Sequence, residues 1–146
     1  MNKLALEDQY LNISQVKELE ELGIEIAIED CSMVFYPIVR IDLYTLEDSM
    51  GYELGIYKES ENQPYSTIPT ISILEMIEML PLDIKAKSEK YGSQTVYLSI
   101  DRRSVMYSVS GNEFEDAIFV YKSFEKQLLR DALFEMLKWL KQNKLI

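Results

Sequence analysis

The sequence predicts an α+β fold, a single antiparallel sheet of about five strands packed by a long C-terminal helix and by shorter helices. Three observations carry this expectation. Between Ser123 and Ile146, at 100° per residue, Leu128, Leu129, Ala132, Leu133, Met136, Leu137, Trp139 and Leu140 fall within about half of the helix circumference. Arg130, Asp131, Glu135, Lys138 and Lys141 cover the other half. From Ser32 to Tyr57, and again from Ile84 to Val109, apolar residues recur at alternate positions, the period of a strand. An apolar helix face of that width also needs a partner broader than one neighbouring helix, and a sheet supplies it. With 146 residues and no internal repeat or linker, the chain fits one domain over 1–146.

In chain order, Asn12 and Gln15 have the spacing of a capping box, with Leu11 and Val16 at the staple positions, so a helix is expected over Ile13 to Leu22. Gly23 supplies its left-handed end, and Ile24 is placed to touch Leu19. Met33, Phe35, Val39, Ile41 and Leu43 then alternate with Val34, Tyr36, Ile38, Arg40 and Asp42. Pro37 lacks a ladder donor, which places it on an edge strand or at a bulge. Leu46 to Gly51 reads as a polar turn, Tyr52 to Tyr57 as the returning strand, and Lys58 to Ser66 as a loop.

Ser72 and Glu75 form a second capping box, which starts a helix at Ile73 that Pro81 stops at Leu80. Only Glu75 and Glu78 are polar in it, so it is expected to be sunk into the core. Ile84 to Lys87, Thr95 to Asp101 and Val105 to Val109 read as a meander, with turns at Tyr91-Gly92-Ser93 and Asp101-Arg102-Arg103. Gly111 to Asp116 reads as an acidic loop. Ile118 to Tyr121 fits a short fourth strand before Ser123 leads into the final helix.

The order Leu11-Asn12, Leu19 to Gly23, Ile68-Pro69-Thr70 to Leu80-Pro81, and Asp131-Ala132-Leu133 to Trp139-Leu140 resembles small uncharacterised proteins of bacterial phages and mobile elements. These residues are caps, a proline stop and core positions. The resemblance implies a cytoplasmic accessory protein and brings no catalytic residue or cofactor with it.

Charge is unevenly spread. Residues 1 to 62 carry 14 acids and 4 bases, a net −10, whereas residues 63 to 146 carry 11 of each and are neutral. Phosphate neutralisation by the chain as a whole is therefore disfavoured, and no nucleic-acid partner is expected. No run approaches the roughly 18 apolar residues of a membrane span. With a single cysteine, Cys31, no intrachain disulfide forms, and the N-terminal residues lack the apolar core of a signal peptide. A cytoplasmic location follows as the expectation.

The chain has no histidine, which removes the commonest general base, the commonest zinc ligand and any Ser-His or Cys-His pair. Cys31 follows Glu29 and Asp30, carboxylates that disfavour its thiolate. The acid pairs Glu47-Asp48, Glu75 with Glu78, and Glu113 with Glu115 and Asp116 lack the alternation of an EF-hand loop. No catalytic, cofactor-binding or metal-ligating residue is assigned, and no cofactor is expected. The expected function is a non-enzymatic protein-interaction domain, accessory or inhibitory, with a basic protein as partner. Its candidate contact residues are Glu18, Glu20 and Glu21 in the densest acidic region, Tyr52 and Tyr57 among an unusually large set of strand tyrosines, and Phe134. Phe134 lies about 60° outside the apolar arc of the last helix and is expected to be partly exposed, covered either by a second element or by the partner in a homodimer. The alternative is a small carboxylate- or metal-dependent enzyme.

Overall fold

In the computed structural model, which describes residues 4–58, 67–111 and 118–146, the chain divides into two compact units, Met1–Ile71 and Ser72–Ile146. The architecture is α+β, with two antiparallel sheets of three and four strands in place of the expected single sheet of about five. Each unit has a sheet of its own.

The first unit opens with a 3-10 turn at Leu6–Gln9 and helix α1 at Ile13–Glu21. Asn12 caps α1 as the spacing predicts. Its Oδ1 accepts the Gln15 N–H at 2.9 Å, while Gln15 Oε1 accepts the Asn12 N–H at 3.0 Å. At the other end Gly23 takes φ 88°, the Ile24 N–H reaches the Leu19 carbonyl at 2.9 Å, and the Gly23 N–H reaches that of Glu20 at 2.9 Å. These two bonds are a Schellman closure. The helix buries Val16 and Leu19 and leaves its glutamates in solvent.

Strand β1 (Met33–Ile41) pairs antiparallel with β2 (Asp48–Ile56) and, over Val34 and Phe35, with the two-residue β3 (Ile68–Pro69), giving the order β2-β1-β3. The chain regains the first helix near β3. Thr70, fully buried, donates its hydroxyl to the Leu11 carbonyl at 2.7 Å, and the Leu11 N–H bonds the Ile71 carbonyl at 3.0 Å. Strand β2 begins at Asp48, so the expected turn over Leu46 to Gly51 is largely strand. The expected loops at 58–66 and 111–116 fall almost entirely outside the described residues.

The second unit runs α2 (Ile73–Met79), β4 (Asp83–Ser88), β5 (Gly92–Ile100), β6 (Ser104–Ser110), β7 (Ile118–Glu125) and α3 (Leu129–Gln142). β4, β5 and β6 form the expected meander, and β7 continues it as the fourth strand in sequence order. One sheet face carries Ile84 opposite Val96, Leu98 opposite Tyr107, and Val105 opposite both Ile100 and Phe124. Helix α3 packs on β6, β7 and α2. Strand β7 continues to Glu125, past the point where the sequence suggested a helix. Its ladder with β6 holds the segment extended, and tertiary pairing outweighs local preference.

Two helix expectations need correction. Within α2 only Met76 is buried, and Leu74 is 73% exposed, so this helix lies on the surface despite its composition. Its Ser72 cap is present, accepting the Glu75 N–H at 3.1 Å, and Leu80 is extended before Pro81. Phe134, expected to be partly exposed, is 5% exposed. The reason is that no residue from Leu129 to Lys141 is exposed, so α3 is embedded well beyond its apolar arc. Charged side chains share in this: the Lys138 ammonium sits 5.0 Å above the Phe134 ring, and Arg130 Nε pairs with Asp131 Oδ1 at 3.0 Å.

Replacing Asn12 by Ala should lower stability by about 1 kcal/mol, read from the urea midpoint, because the Gln15 N–H loses the Asn12 Oδ1 acceptor. A pH effect follows from Tyr107, whose buried hydroxyl donates to the Pro81 carbonyl at 2.7 Å. Burial first, and the Asp83 carboxylate second, push its pKa up from 10.0 to about 12. Above pH 10 the unfolded chain therefore loses this proton before the folded one. Thermal stability should fall between pH 10 and 12, and Tyr107→Phe, less stable at neutral pH, should fall less over that interval.

Candidate functional site

The β1–β2 hairpin is the most unusual surface of the first unit, and the parity of its ladder determines what it shows. The Asp42 N–H bonds the Glu47 carbonyl at 3.0 Å at one end, and the Tyr57 N–H bonds the Ser32 carbonyl at 3.1 Å at the other. In this register, even residues of β1 and odd residues of β2 form the hydrogen-bonded pairs. Pro37 stands opposite Tyr52 and Pro69 opposite Val34, both at pairs that ask for no donor. Pro37 is thus accommodated inside a nine-residue strand without a bulge. Its nitrogen faces the side where pairing with β3 has ended at Phe35 among the described residues.

The same parity sorts the side chains. One face of the hairpin carries Met33, Phe35, Pro37, Val39 and Ile41 against Ile56, Leu54, Tyr52, Met50 and Asp48. Nine of these ten are apolar or aromatic, yet Val39 is 60%, Ile41 59%, Met50 73% and Ile56 67% exposed. Tyr52, a residue singled out from the sequence, lies among them. At the tip, Leu43, Tyr44 and Leu46 are also open to solvent. Asp42 shapes that tip, its Oδ1 accepting the N–H groups of Tyr44 at 2.8 Å and Thr45 at 3.2 Å before Leu46 turns at φ 57°.

On the opposite face Tyr36 crosses Gly55. A Cβ at Gly55 would lie 3.1 Å from the Tyr36 ring, and this approach lets the Tyr36 hydroxyl donate to the Ile56 carbonyl at 2.8 Å. A concavity of about 500 Å³ adjoins the hairpin, bordered by Leu6, Phe35, Ile38, Arg40, Tyr52 and Glu53. Asp42, Glu47, Asp48 and Glu53 are exposed along the hairpin, with Arg40 the sole base between Met33 and Ile56.

The sequence-derived contact residues are thus dispersed. Glu18, Glu20 and Glu21 are exposed on α1, where Glu20 and Glu25 border a shallow depression with Ile26 and Ala27. Tyr57 is half-buried just beyond β2, and Phe134 is buried in the other unit. Val39, Ile41, Met50 and Ile56 were missed because strand alternation reads equally well with either face turned inward. The available signal was that Met33–Ile41 is apolar at nearly every position on both faces.

Among the described residues, no group of three or more His, Cys, Asp or Glu is arranged to hold a metal ion, and no helix is long and apolar enough to cross a membrane. Cys31 is buried, its thiol donating to the Ala27 carbonyl at 3.3 Å. No protein-family model, curated protein or solved structure matches the chain.

Replacing Gly55 by Ala should displace the Tyr36 ring and break its bond to Ile56, costing about 1 kcal/mol. Chemical denaturation of the variant, with tyrosine absorbance as the readout, checks this.

Proposed function

We propose that this chain is a non-enzymatic protein-interaction domain, of the accessory or inhibitory kind that phages and mobile elements carry, and that it docks its partner on the apolar face of the β1–β2 hairpin. The observation that supports this reading is the contiguous exposure of Val39, Ile41, Met50, Tyr52 and Ile56 on one side of a regular ladder. Apolar patches held open by ordered backbone are a mark of interaction sites. Burying a large side chain of this type contributes roughly 1.5 to 3 kcal/mol before the entropic cost of association.

The chemistry of the partner follows from the rim. Asp42, Glu47, Asp48 and Glu53 edge the hairpin, and Glu18, Glu20 and Glu21 extend the negative field along α1. A partner with an apolar centre and a basic border fits such a surface. The rim steers encounter, and its contribution weakens with salt, while the apolar face sets how long the complex lasts.

The test is capture from bacterial lysate on the immobilised full chain, at low and moderate salt. Wild type is compared with Met50→Asp and with Glu18→Lys/Glu20→Lys/Glu21→Lys. One dominant basic protein should be retained at low salt, lost at least tenfold with Met50→Asp, and captured more slowly by the triple variant. Equal retention by Met50→Asp and wild type would remove the hairpin face from the interaction.

A further inference from the structure

We propose that the open edge of β2 pairs antiparallel with β2 of a second copy, about a twofold axis at Tyr52, to join two three-stranded sheets into one of six. This goes beyond the docking reading, because it uses the edge of the sheet and leaves the apolar face free.

The argument starts from the ladder. Odd residues of β2 spend their backbone groups on β1, so the N–H and C=O groups of Asp48, Met50, Tyr52, Leu54 and Ile56 point outward. β2 is the end strand of its sheet, and among the described residues no backbone hydrogen bond joins these groups to another strand. Ile56 alone has an occupied carbonyl, shared with the Tyr36 hydroxyl. Natural edges are usually guarded by proline, lysine, a bulge or shortness. β2 is nine residues long, runs in unbroken register, and contains neither proline nor lysine.

The second copy is the occupant because the edge is complementary to itself. With the axis at Tyr52, the outward residues meet in hydrogen-bonded pairs: Asp48 with the second copy's Ile56, Met50 with its Leu54, and Tyr52 with its Tyr52. That geometry allows about ten ladder bonds. Apolar and aromatic cross-strand pairs fall on one face. On the other face Glu53 meets Gly51 and Ser49 meets Gly55, so no carboxylate opposes another. Moving the axis to Met50 would set Glu47 against Glu53, and moving it to Leu54 would leave the start of β2 unpaired. Only the Tyr52 register uses the whole strand without a like-charge pair. Two chains of net charge −10 repel at long range, and salt screens that repulsion over about 8 Å at physiological strength. Self-pairing should therefore tighten as salt rises, opposite in sign to capture of a basic partner.

Light scattering on the full chain across concentration and salt reads the mass directly. A dimer that tightens severalfold from low to moderate salt is expected, and a monomer at all concentrations would overturn the proposal. Tyr52→Pro removes an outward donor and no bond to β1, so it should stay folded by circular dichroism and show half the mass; a folded variant of unchanged mass would refute the edge pairing. Independently, Tyr52→Cys with oxidised glutathione should give a covalent dimer, the two positions standing face to face across the axis, while Tyr44→Cys at the exposed tip should form far less. Equal cross-linking of the two would overturn it. A monomeric chain that still loses its partner through Met50→Asp defeats the pairing and leaves the docking reading standing; a dimer indifferent to Met50→Asp in capture does the reverse.

Discussion

A proline nitrogen carries no hydrogen, and in the first unit that single deficit constrains the ladder around it. Pro37 fits inside β1 only where no donor is asked of it, opposite Tyr52 in a non-hydrogen-bonded pair. Once that parity is set, the direction of every backbone group in the hairpin follows, and with it the face on which every side chain stands. Val39, Ile41, Met50 and Ile56 share a surface because they are an even number of residues, or one paired step, from Pro37. A one-residue slip of β2 would replace Met50, Tyr52, Leu54 and Ile56 on that face by Ser49, Gly51, Glu53 and Gly55. The chemistry of the face is therefore a matter of register as much as of composition.

The second unit rests on a different solution. Helix α3 is enclosed beyond the arc its apolar residues subtend, so charged side chains must be housed where a simple amphipathic helix would leave them in water. Arg130 is held against Asp131, and Lys138 spreads its stem and ammonium over Phe134. The β6–β7 ladder carries a register shift between Tyr107 and Ser108, which leaves Tyr121 as the extra residue. Tyr121 meets Trp139 edge-on at 5.8 Å, and Lys122 lies 4.9 Å over Phe124 and 5.8 Å over Trp139.

Local signals in the sequence were legible where the physics is local. The Asn12 cap, the Gly23 terminus and the Pro81 stop depend on residues within a few positions of one another, and each occurs as read; the three-strand meander is also present, with the fourth strand longer than read. What could not be read depends on pairing at a distance. Apolar residues on both faces of Met33–Ile41 signalled that one face would stay open, but alternation does not show which of the two is covered, so the exposure of Met50 and Ile56 could not be assigned. The helical wheel of α3 placed Phe134 correctly relative to Leu133 and Leu137 but gave no measure of how far neighbours wrap the helix. Composition misjudged α2 for the same reason: Leu74 is apolar and exposed, and only its surroundings decide that.

Trp139 is the only tryptophan in the chain, and its ring stands in α3 with Tyr121 at its edge and a lysine ammonium above it. Its fluorescence is consequently a private signal of the C-terminal unit, since the residues from Met1 to Ile71 contribute only tyrosine emission. Tryptophan emission thus reports on the C-terminal unit alone, while tyrosine emission, to which Tyr91, Tyr97, Tyr107 and Tyr121 also contribute, reports on both. If the units melt at different temperatures, the two emission bands will change at different points, and the cooperativity of the chain can be watched without adding a dye or a label.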